Sequence, residues 1–273
     1  MTVGVVLMAY GTPSTLSDVE SYYTHIRGGR APDPAQLAEL THRYETIGGV
    51  SPMAERTQAQ VDAIAASLGE KYKVRLGQKH SAPFVEDAVQ ELADSNVERI
   101  VGLVLAPHYS SGSIGQYMQR ASETAESAGV PFSGIKDWHM LDPLLEFNAA
   151  AIQSALEAMP KRTKVIFTAH SLPESVLSGD PYADQLHESA AETARRAGLA
   201  TWAGWGLGWQ SAAKTPVEWR GPDISEIISD LAGTGRSQGV LVVPQGFTCD
   251  HMEVLHDLDI VADVLRRAMA DSA

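Results

Sequence analysis

Three carboxylates follow a short apolar run near the end of the chain. In Gly239–Asp259, GVLVVPQGFTCDHMEVLHDLD, the run Val240–Val243 reads as a buried parallel strand that Pro244 and Gly246 break. Asp250, Glu253 and Asp257 then recur at i, i+3 and i+7, a spacing that predicts one helix face lined with acids. Met252, Val254, Leu255 and Leu258 form the core-facing stripe of that helix. A capping box explains part of the pattern, with Asp250 as the cap and Glu253 returning to its N–H. It leaves unexplained why three acids and two histidines, His251 and His256, crowd the end of a buried strand. Carboxylates in such a row can hold a hard cation or accept protons.

His170 is the sharpest single residue outside this stretch. It follows VIFTA directly, so its ring stands on a rigid strand end, where a ligand or base needs to be. A lone histidine at a strand end is more often structural, but here a second polar centre, Glu253 with Asp257, ends the strand of a similar unit. A neutral imidazole facing carboxylates binds a divalent metal or takes a proton, and its ordinary pKa near ~6.5 suits neutral pH. Two ligands are too few for a permanent structural metal, which takes four. They suit a metal that passes through, or a site that the substrate completes. Histidines 25, 42, 80, 108, 139, 187, 251 and 256 form no zinc spacing, and His187 reads as a solvated helix residue. Ser171 lacks the G-x-S-x-G elbow, and no GxGxxG or Walker pattern occurs.

A basic, aromatic island lies near the start of the chain. Arg27, Arg30 and Arg43 are gathered with His25, His42, Tyr22, Tyr23 and Tyr44. Two readings stay open: a surface helix pair with snorkelling arginines, or a receptor for a flat, aromatic, carboxylated ligand.

The elements that must position these residues alternate along the chain. Strands are predicted at Val3–Met8, Lys73–Gly77, Ile100–Ala106, Phe132–Trp138, Lys164–Ala169, Trp202–Trp209 and Val240–Val243. Helices are predicted from about Ser17, then at Pro34–Tyr44, Pro52–Leu68, Phe84–Asp94, Ser113–Ala128, Pro143–Met159, Pro181–Ala197 and Ile224–Leu231, with a last one from Asp250 to about Ala270. Such alternation, with connections long enough for crossovers, predicts an α/β protein whose parallel sheets are covered on both faces. LMAYGTP (Leu7–Pro13) resembles FTAHSLP (Phe167–Pro173), and LVLAPHYSSG (Leu103–Gly112) resembles LVVPQGFTCD (Leu241–Asp250) more loosely. The pairing predicts two similar Rossmann-like domains that face each other, 1–138 and 139–260. The first carries an inserted helical lip at about 25–52, and a shortened helix, 261–273, follows the second. Ligands of open parallel sheets bind outside the carboxyl ends of strands. Those ends hold Tyr10, His108-Tyr109, His170-Ser171, Trp209-Gln210-Ser211 and Gln245–Glu253, and the expectation is an active cleft between the domains.

Composition narrows the partners. The chain has 273 residues, 44% of them hydrophobic, with Lys+Arg 21 against Asp+Glu 34 and a formal charge of −13. That balance speaks against nucleic acid and anionic membrane as partners. The single cysteine, Cys249, rules out an intramolecular disulfide and an all-cysteine zinc or iron–sulfur site. There is no basic leader, and no apolar run approaches the ~18 residues of a membrane span. The reading is a soluble, cytoplasmic protein.

MAYGTP, YYTHIRGGR, RYETIGGVSPM, APHYS, TAHSLPES, GDPYADQLHES, GWQS and GFTCDHMEVLHDLD, in this order, resemble the ferrochelatases. The match runs from Val3 to about Asp259 and is most similar to the soluble coproporphyrin III ferrochelatases of Gram-positive-type bacteria. The resemblance implies the chelatase fold and insertion of Fe²⁺ into coproporphyrin III to give coproheme. Fe²⁺ is then a substrate, and there is no permanent cofactor. His170 and Glu253 match the family's metal-binding and proton-accepting pair, and Asp257 matches the next step of an acidic ladder. Tyr10 matches a residue that becomes an axial ligand of product iron. Arg27, Arg43, Tyr44, Ser51 and Tyr117 match positions that contact the tetrapyrrole and its propionates. A monomer in transient contact with neighbouring haem-pathway enzymes is the accompanying expectation. The chain departs from the family after Asp257. The ladder's further glutamate is replaced by Val261, and VADVLRRAMADSA follows Ile260 directly, as though a connection were absent. Two other readings stand beside this one: a porphyrin- or coproheme-binding protein that has lost catalysis through the shortened tail, and a cobalt or nickel chelatase for a related tetrapyrrole that shares the fold and the histidine.

Overall fold

The structure, a computed structural model, describes residues 2–213 and 215–261, the side chains of residues 260 and 261 excepted. The chain divides into two compact units. Of the described residues, one comprises 2–106, 111–136 and 249–252, the other 107–110, 137–248 (214 excepted) and 253–261.

In the first unit, β1 (Val3–Ala9), β2 (Tyr72–Gln78), β3 (Arg99–Val104) and β4 (Phe132–Ile135) form a parallel sheet in the order β2-β1-β3-β4. Every residue of β1 is buried, as an unbroken apolar strand with neighbours on both edges requires. Side chains alternate between faces. Val5 and Leu7 pack on Val61 of a helix at Met53–Leu68. On the other face the bare Gly4 admits Leu92 of the helix at Val85–Asp94, whose Cβ would sit 3.4 Å from an added methyl. We call the helices in chain order α1 (Val19–Ile26), α2 (Pro34–Thr46), α3 (Met53–Leu68), α4 (Val85–Asp94) and α5 (Ile114–Ser127). The Asp33 side chain caps α2, accepting from the Gln36 N–H at 2.9 Å, and Pro34 takes the first helical position, where its missing N–H costs nothing.

The second unit repeats the plan. Here β5 (Thr163–His170) lies between β6 (Trp205–Gln210) and β7 (Gly239–Val243), all parallel, with α6 (Asp142–Glu157), α7 (Glu174–Leu177), α8 (Tyr182–Arg196) and α9 (Ile224–Gly233). Val165 and Phe167 face Ile152 of α6 and Ala190 and Ala194 of α8. Ile166 faces Ile224 and Ile228 of α9 together with Val254 and Leu258. Both faces are thus covered, and burial of a side chain such as Phe167 stabilises by about 1.5–3 kcal/mol. The glycine–tryptophan alternation of β6 has a packing cause: a Cβ on Gly208 would lie 2.8 Å from Ile227 of α9. β1 and β5 are the strands paired on both edges by β2 and β3, and by β6 and β7. The two sequence repeats therefore mark equivalent strand ends, LMAYGTP with FTAHSLP after β1 and β5, and LVLAPHYSSG with LVVPQGFTCD after β3 and β7.

Three expected elements differ. Phe132–Trp138 stops as a strand at Ile135, and Trp202–Trp209 begins only at Trp205, because residues 201–204 turn and leave Trp202 97% exposed. The short α7 after Pro173 is absent from the sequence expectation. The last helix is a single α turn, α10 (Met252–Val254), continued by a π-helix at Leu255–Val261, with i→i+5 hydrogen bonding in place of i→i+4. Asp250 and His251 precede it in irregular backbone, so Asp250 is not its cap. The carboxylate a capping box would fold back, that of Glu253, is instead drawn to His170. The readings of Val261 as the ladder's end and of a helix reaching Ala270 lie outside the described side chains and residues.

Candidate active site

The position of His170 follows from strand geometry. Ile166, Thr168 and His170 share one face of β5 because strand side chains alternate. On that face Ile166 packs against Val254 and Leu258, so the segment carrying Glu253 lies where the His170 ring must point. His170 Nε2 stands 3.4 Å from Glu253 Oε1, with about a third of each side chain exposed. Nδ1 donates to the Ser171 carbonyl at 2.5 Å, which fixes the ring. The Tyr182 hydroxyl donates to the His170 carbonyl at 3.3 Å. Gln210, the register partner of His170 in β6, donates from Nε2 to the Glu253 carbonyl at 3.1 Å. Gly246 lets the chain after β7 lie flat on the end of β5, where a Cβ would come within 2.7 Å of Ala169. Both members of the pair are held by backbone that side chains fasten.

The electrostatics revise one expectation. Burial pushes the His170 imidazole down, but the charge and hydrogen bond of Glu253, the Ser171 carbonyl and the charge of Asp257 outweigh it and raise the pKa to about 9. His170 is therefore an imidazolium at neutral pH, not the neutral base its ordinary pKa suggests. Burial, with Glu253 and Asp180, likewise pushes the Tyr182 phenol up, so it stays a hydrogen-bond donor. Asp257 is engaged apart from Glu253: it accepts from Ser211 Oγ at 2.5 Å and contacts His256 Nδ1 at 2.9 Å. Ser211 holds that geometry with φ of 61°, a left-handed backbone that a side chain rarely adopts. Of the three acids of the stretch, Glu253 meets His170, Asp257 meets Ser211 just past β6, and Asp250 is exposed.

Within the first unit, Tyr10 follows β1 and lies 4.6 Å, ring to ring, from His80, which follows β2. His80 Nδ1 is 3.0 Å from His25 Nδ1 of α1, and the His25 ring stacks on Phe84. Burial, then Lys79, His25 and Arg120, hold His80 down at about 3, so it is neutral. Tyr117, on α5, is buried, and burial followed by Tyr10 pushes its phenol well up. Lys79 and His80 are missing from the sequence reading of strand ends. The residues after Lys73–Gly77, Gln78-Lys79-His80, were the signal.

The basic island resolves into separate environments. Arg27 lies 5.6 Å over the Tyr23 ring and donates from Nε to the Arg30 carbonyl at 3.3 Å. Arg43 pairs with Glu39 one turn earlier at 2.8 Å. Tyr22 and Tyr44 are buried, and the Tyr22 hydroxyl ties α1 to the Gly11 carbonyl at 3.0 Å. Ser51 is buried and accepts from the Met53 N–H at 3.2 Å at the start of α3. Among the described residues, no group of three or more His, Cys, Asp or Glu is arranged to hold a metal ion, and no helix is long and apolar enough to cross a membrane.

The comparisons with known proteins converge on one family. A family model described as Ferrochelatase matches residues 2–270. The coproporphyrin III ferrochelatase of Oceanobacillus iheyensis is 40% identical over 96% of this chain and 86% of its own length. Those of Geobacillus kaustophilus, 41% identical over 95% and 84%, and Bacillus subtilis, 40% over 96% and 87%, are similar to the same extent. The chain belongs to the ferrochelatase family.

Proposed function

Proceeding from that membership, we propose that the protein inserts Fe²⁺ into coproporphyrin III, releasing two protons and forming coproheme for haem biosynthesis. The observation that carries the reading is the His170–Glu253 pair, held 3.4 Å apart at the end of β5. Metal insertion needs a place for a divalent cation and an acceptor for the pyrrole protons, and the pair offers both. Glu253 attracts the cation. His170, protonated at rest and about a third exposed, gives up its Nε2 proton to solvent as positive charge approaches, because repulsion lowers an imidazole pKa. Two donors hold the ion weakly enough to release it to the porphyrin nitrogens. The vacated imidazole and carboxylate then accept protons from the macrocycle. The relatives are named as ferrochelatases, which supports the chelatase reading over a binding role.

We assign Tyr10 as the axial ligand of product iron, and Arg27, Arg43, Tyr44, Ser51 and Tyr117 as contacts of the tetrapyrrole. Asp257, tied to Ser211, is a secondary station for cation or proton. The protein is taken to act as a cytoplasmic monomer. The test is anaerobic turnover with Fe²⁺ and either coproporphyrin III or protoporphyrin, followed by absorbance. Formation of coproheme supports the assignment, and binding of coproporphyrin without metal insertion overturns it.

A further inference from the structure

Lys79 is one residue past β2 and only 8% exposed. Its N–H donates to the Ala9 carbonyl at 2.9 Å, and its own carbonyl accepts from Arg120 Nη1 at 2.9 Å. The backbone is therefore fixed. Its Nζ stands 5.0 Å from the centroid of the Tyr117 ring. Among the described residues no carboxylate faces this ammonium. The nearby acid, Glu86 of α4, is held by Arg120 through both oxygens, at 2.5 and 2.7 Å, and its carboxyl lies below the usual range because of that bond.

An ammonium partly withdrawn from water without a counter-charge is destabilised, and a cation–π contact offsets this only in part. The imbalance also appears as a lowered affinity for the proton: burial, then Arg120, bring Lys79 down to about 8. A carboxylate brought to Nζ would restore the balance. The place is also the right one, since Lys79 follows the carboxyl end of a parallel strand, where ligands of such sheets bind.

We propose that Lys79 receives a carboxylate of the ligand, and that this carboxylate is a propionate of the tetrapyrrole. The inference rests on the proposed function for the identity of the ligand. It adds a cation just past β2 to Arg27 at the end of α1 and Arg43 of α2. The charged and titratable groups around Lys79 are Arg120 and Tyr117 on α5, Glu86 on α4, His80 beside it, His25 on α1 and Tyr10 after β1. Arg120 is neutralised by Glu86, and His80 is neutral through the accessible range. Lys79 is then the group whose charge changes near pH 8 at this place.

The experiment measures the affinity of metal-free coproporphyrin III and of its tetramethyl ester by fluorescence, in the full chain. Lys79→Met is expected to weaken the free acid by about 10-fold or more, the worth of a charge-assisted hydrogen bond, and to leave the ester unchanged. Lys79→Arg is expected to retain most of the affinity. Wild-type affinity falls as pH rises through 8, while Lys79→Arg shows no such fall. Lys79→Met is expected to unfold at a denaturant concentration no lower than wild type when no ligand is present, because it removes a partly desolvated charge that no carboxylate among the described residues faces. Should Lys79→Met fold poorly, Lys79→Gln takes its place. Equal free-acid affinity in variant and wild type, or equal loss for acid and ester, overturns this inference alone. A wild-type chain that binds no coproporphyrin overturns the proposed function as well.

Discussion

His170 Nε2 and Glu253 Oε1 stand 3.4 Å apart, and that separation sets the charge state of the centre. Burial acting alone depresses the imidazole; the carboxylate reverses the sign and takes the pKa to about 9. Glu253→Gln should therefore lower the pKa of His170 from about 9, since the desolvation remains and the charge and hydrogen bond of Glu253 do not. A histidine-resolved NMR titration reads this directly. The linkage has a definite sign. The folded pKa is raised, so the pair stabilises the fold fully below about pH 6.5 and loses that contribution as pH rises to about 9. Denaturation of wild type should show a decline across this window, and Glu253→Gln should not. An unchanged His170 titration in the variant would falsify the pairing.

Removing the imidazole separates chemistry from binding. His170→Ala should lower Fe²⁺ insertion by about 10²–10⁴-fold, the range for loss of a positioned acid or base. Coproporphyrin affinity should stay within about threefold of wild type, because a base of this kind acts on the transition state rather than on bound substrate. Near-wild-type turnover in the variant would remove His170 from the mechanism.

Ser211 offers a test of backbone against side chain. Its hydroxyl donates to Asp257 at 2.5 Å, and its φ of 61° is one a Cβ resists. Ser211→Ala loses the hydrogen bond and keeps the strain, whereas Ser211→Gly loses the bond and sheds the strain. The glycine variant should therefore be the more stable of the two by about 1 kcal/mol. Urea denaturation of the pair measures the difference. An alanine variant as stable as the glycine one would mean that the left-handed backbone is unstrained here.

Much of this architecture is written in local patterns. The apolar run VIFTAH places His170 at a strand end because a parallel strand buried on both faces must be apolar throughout. The alternation of its side chains then determines which segment the ring meets. What the sequence conceals depends on packing between distant segments. No periodicity shows that Glu253 turns to His170 rather than to its own helix N-terminus, since the capping box and the ion pair use the same residue. The change from α- to π-helix at Leu255 is likewise invisible, because Val254 and Leu258 fit an α-helical stripe as well. Tyr22 and Tyr44 read as rings of one basic island, and only the packing of α1 and α2 shows that both are buried. Lys79 escaped because a single lysine after a strand reads as solvated. That no carboxylate among the described residues faces it emerges only when Glu86 is seen to be taken by Arg120.

His108 supplies the remaining test. It is 4% exposed and shares a hydrogen bond with Ser189 Oγ at 2.8 Å; Ser189 in turn donates to Gln245 Oε1 at 3.2 Å. Around it stand the His139 ring, 5.7 Å away and between Asp137 and Glu188, and the Tyr182 ring at 6.4 Å. Burial, then His139, hold its pKa down at about 3, so the fold contains it neutral. The unfolded chain binds its proton near ~6.5. The stabilisation is therefore complete above that pH and is lost as pH falls toward 3. Between pH 7 and pH 5 the loss from this residue should be about 2 kcal/mol, from the proton the unfolded state takes up and the fold refuses. His108→Gln carries no such proton. Its denaturation free energy should start lower at pH 7, through disturbance of the Ser189 bond, yet decline less steeply on acidification. If the slopes of variant and wild type coincide, His108 is protonated in the fold, and the neutral Nε2 contact with Ser189 is wrong.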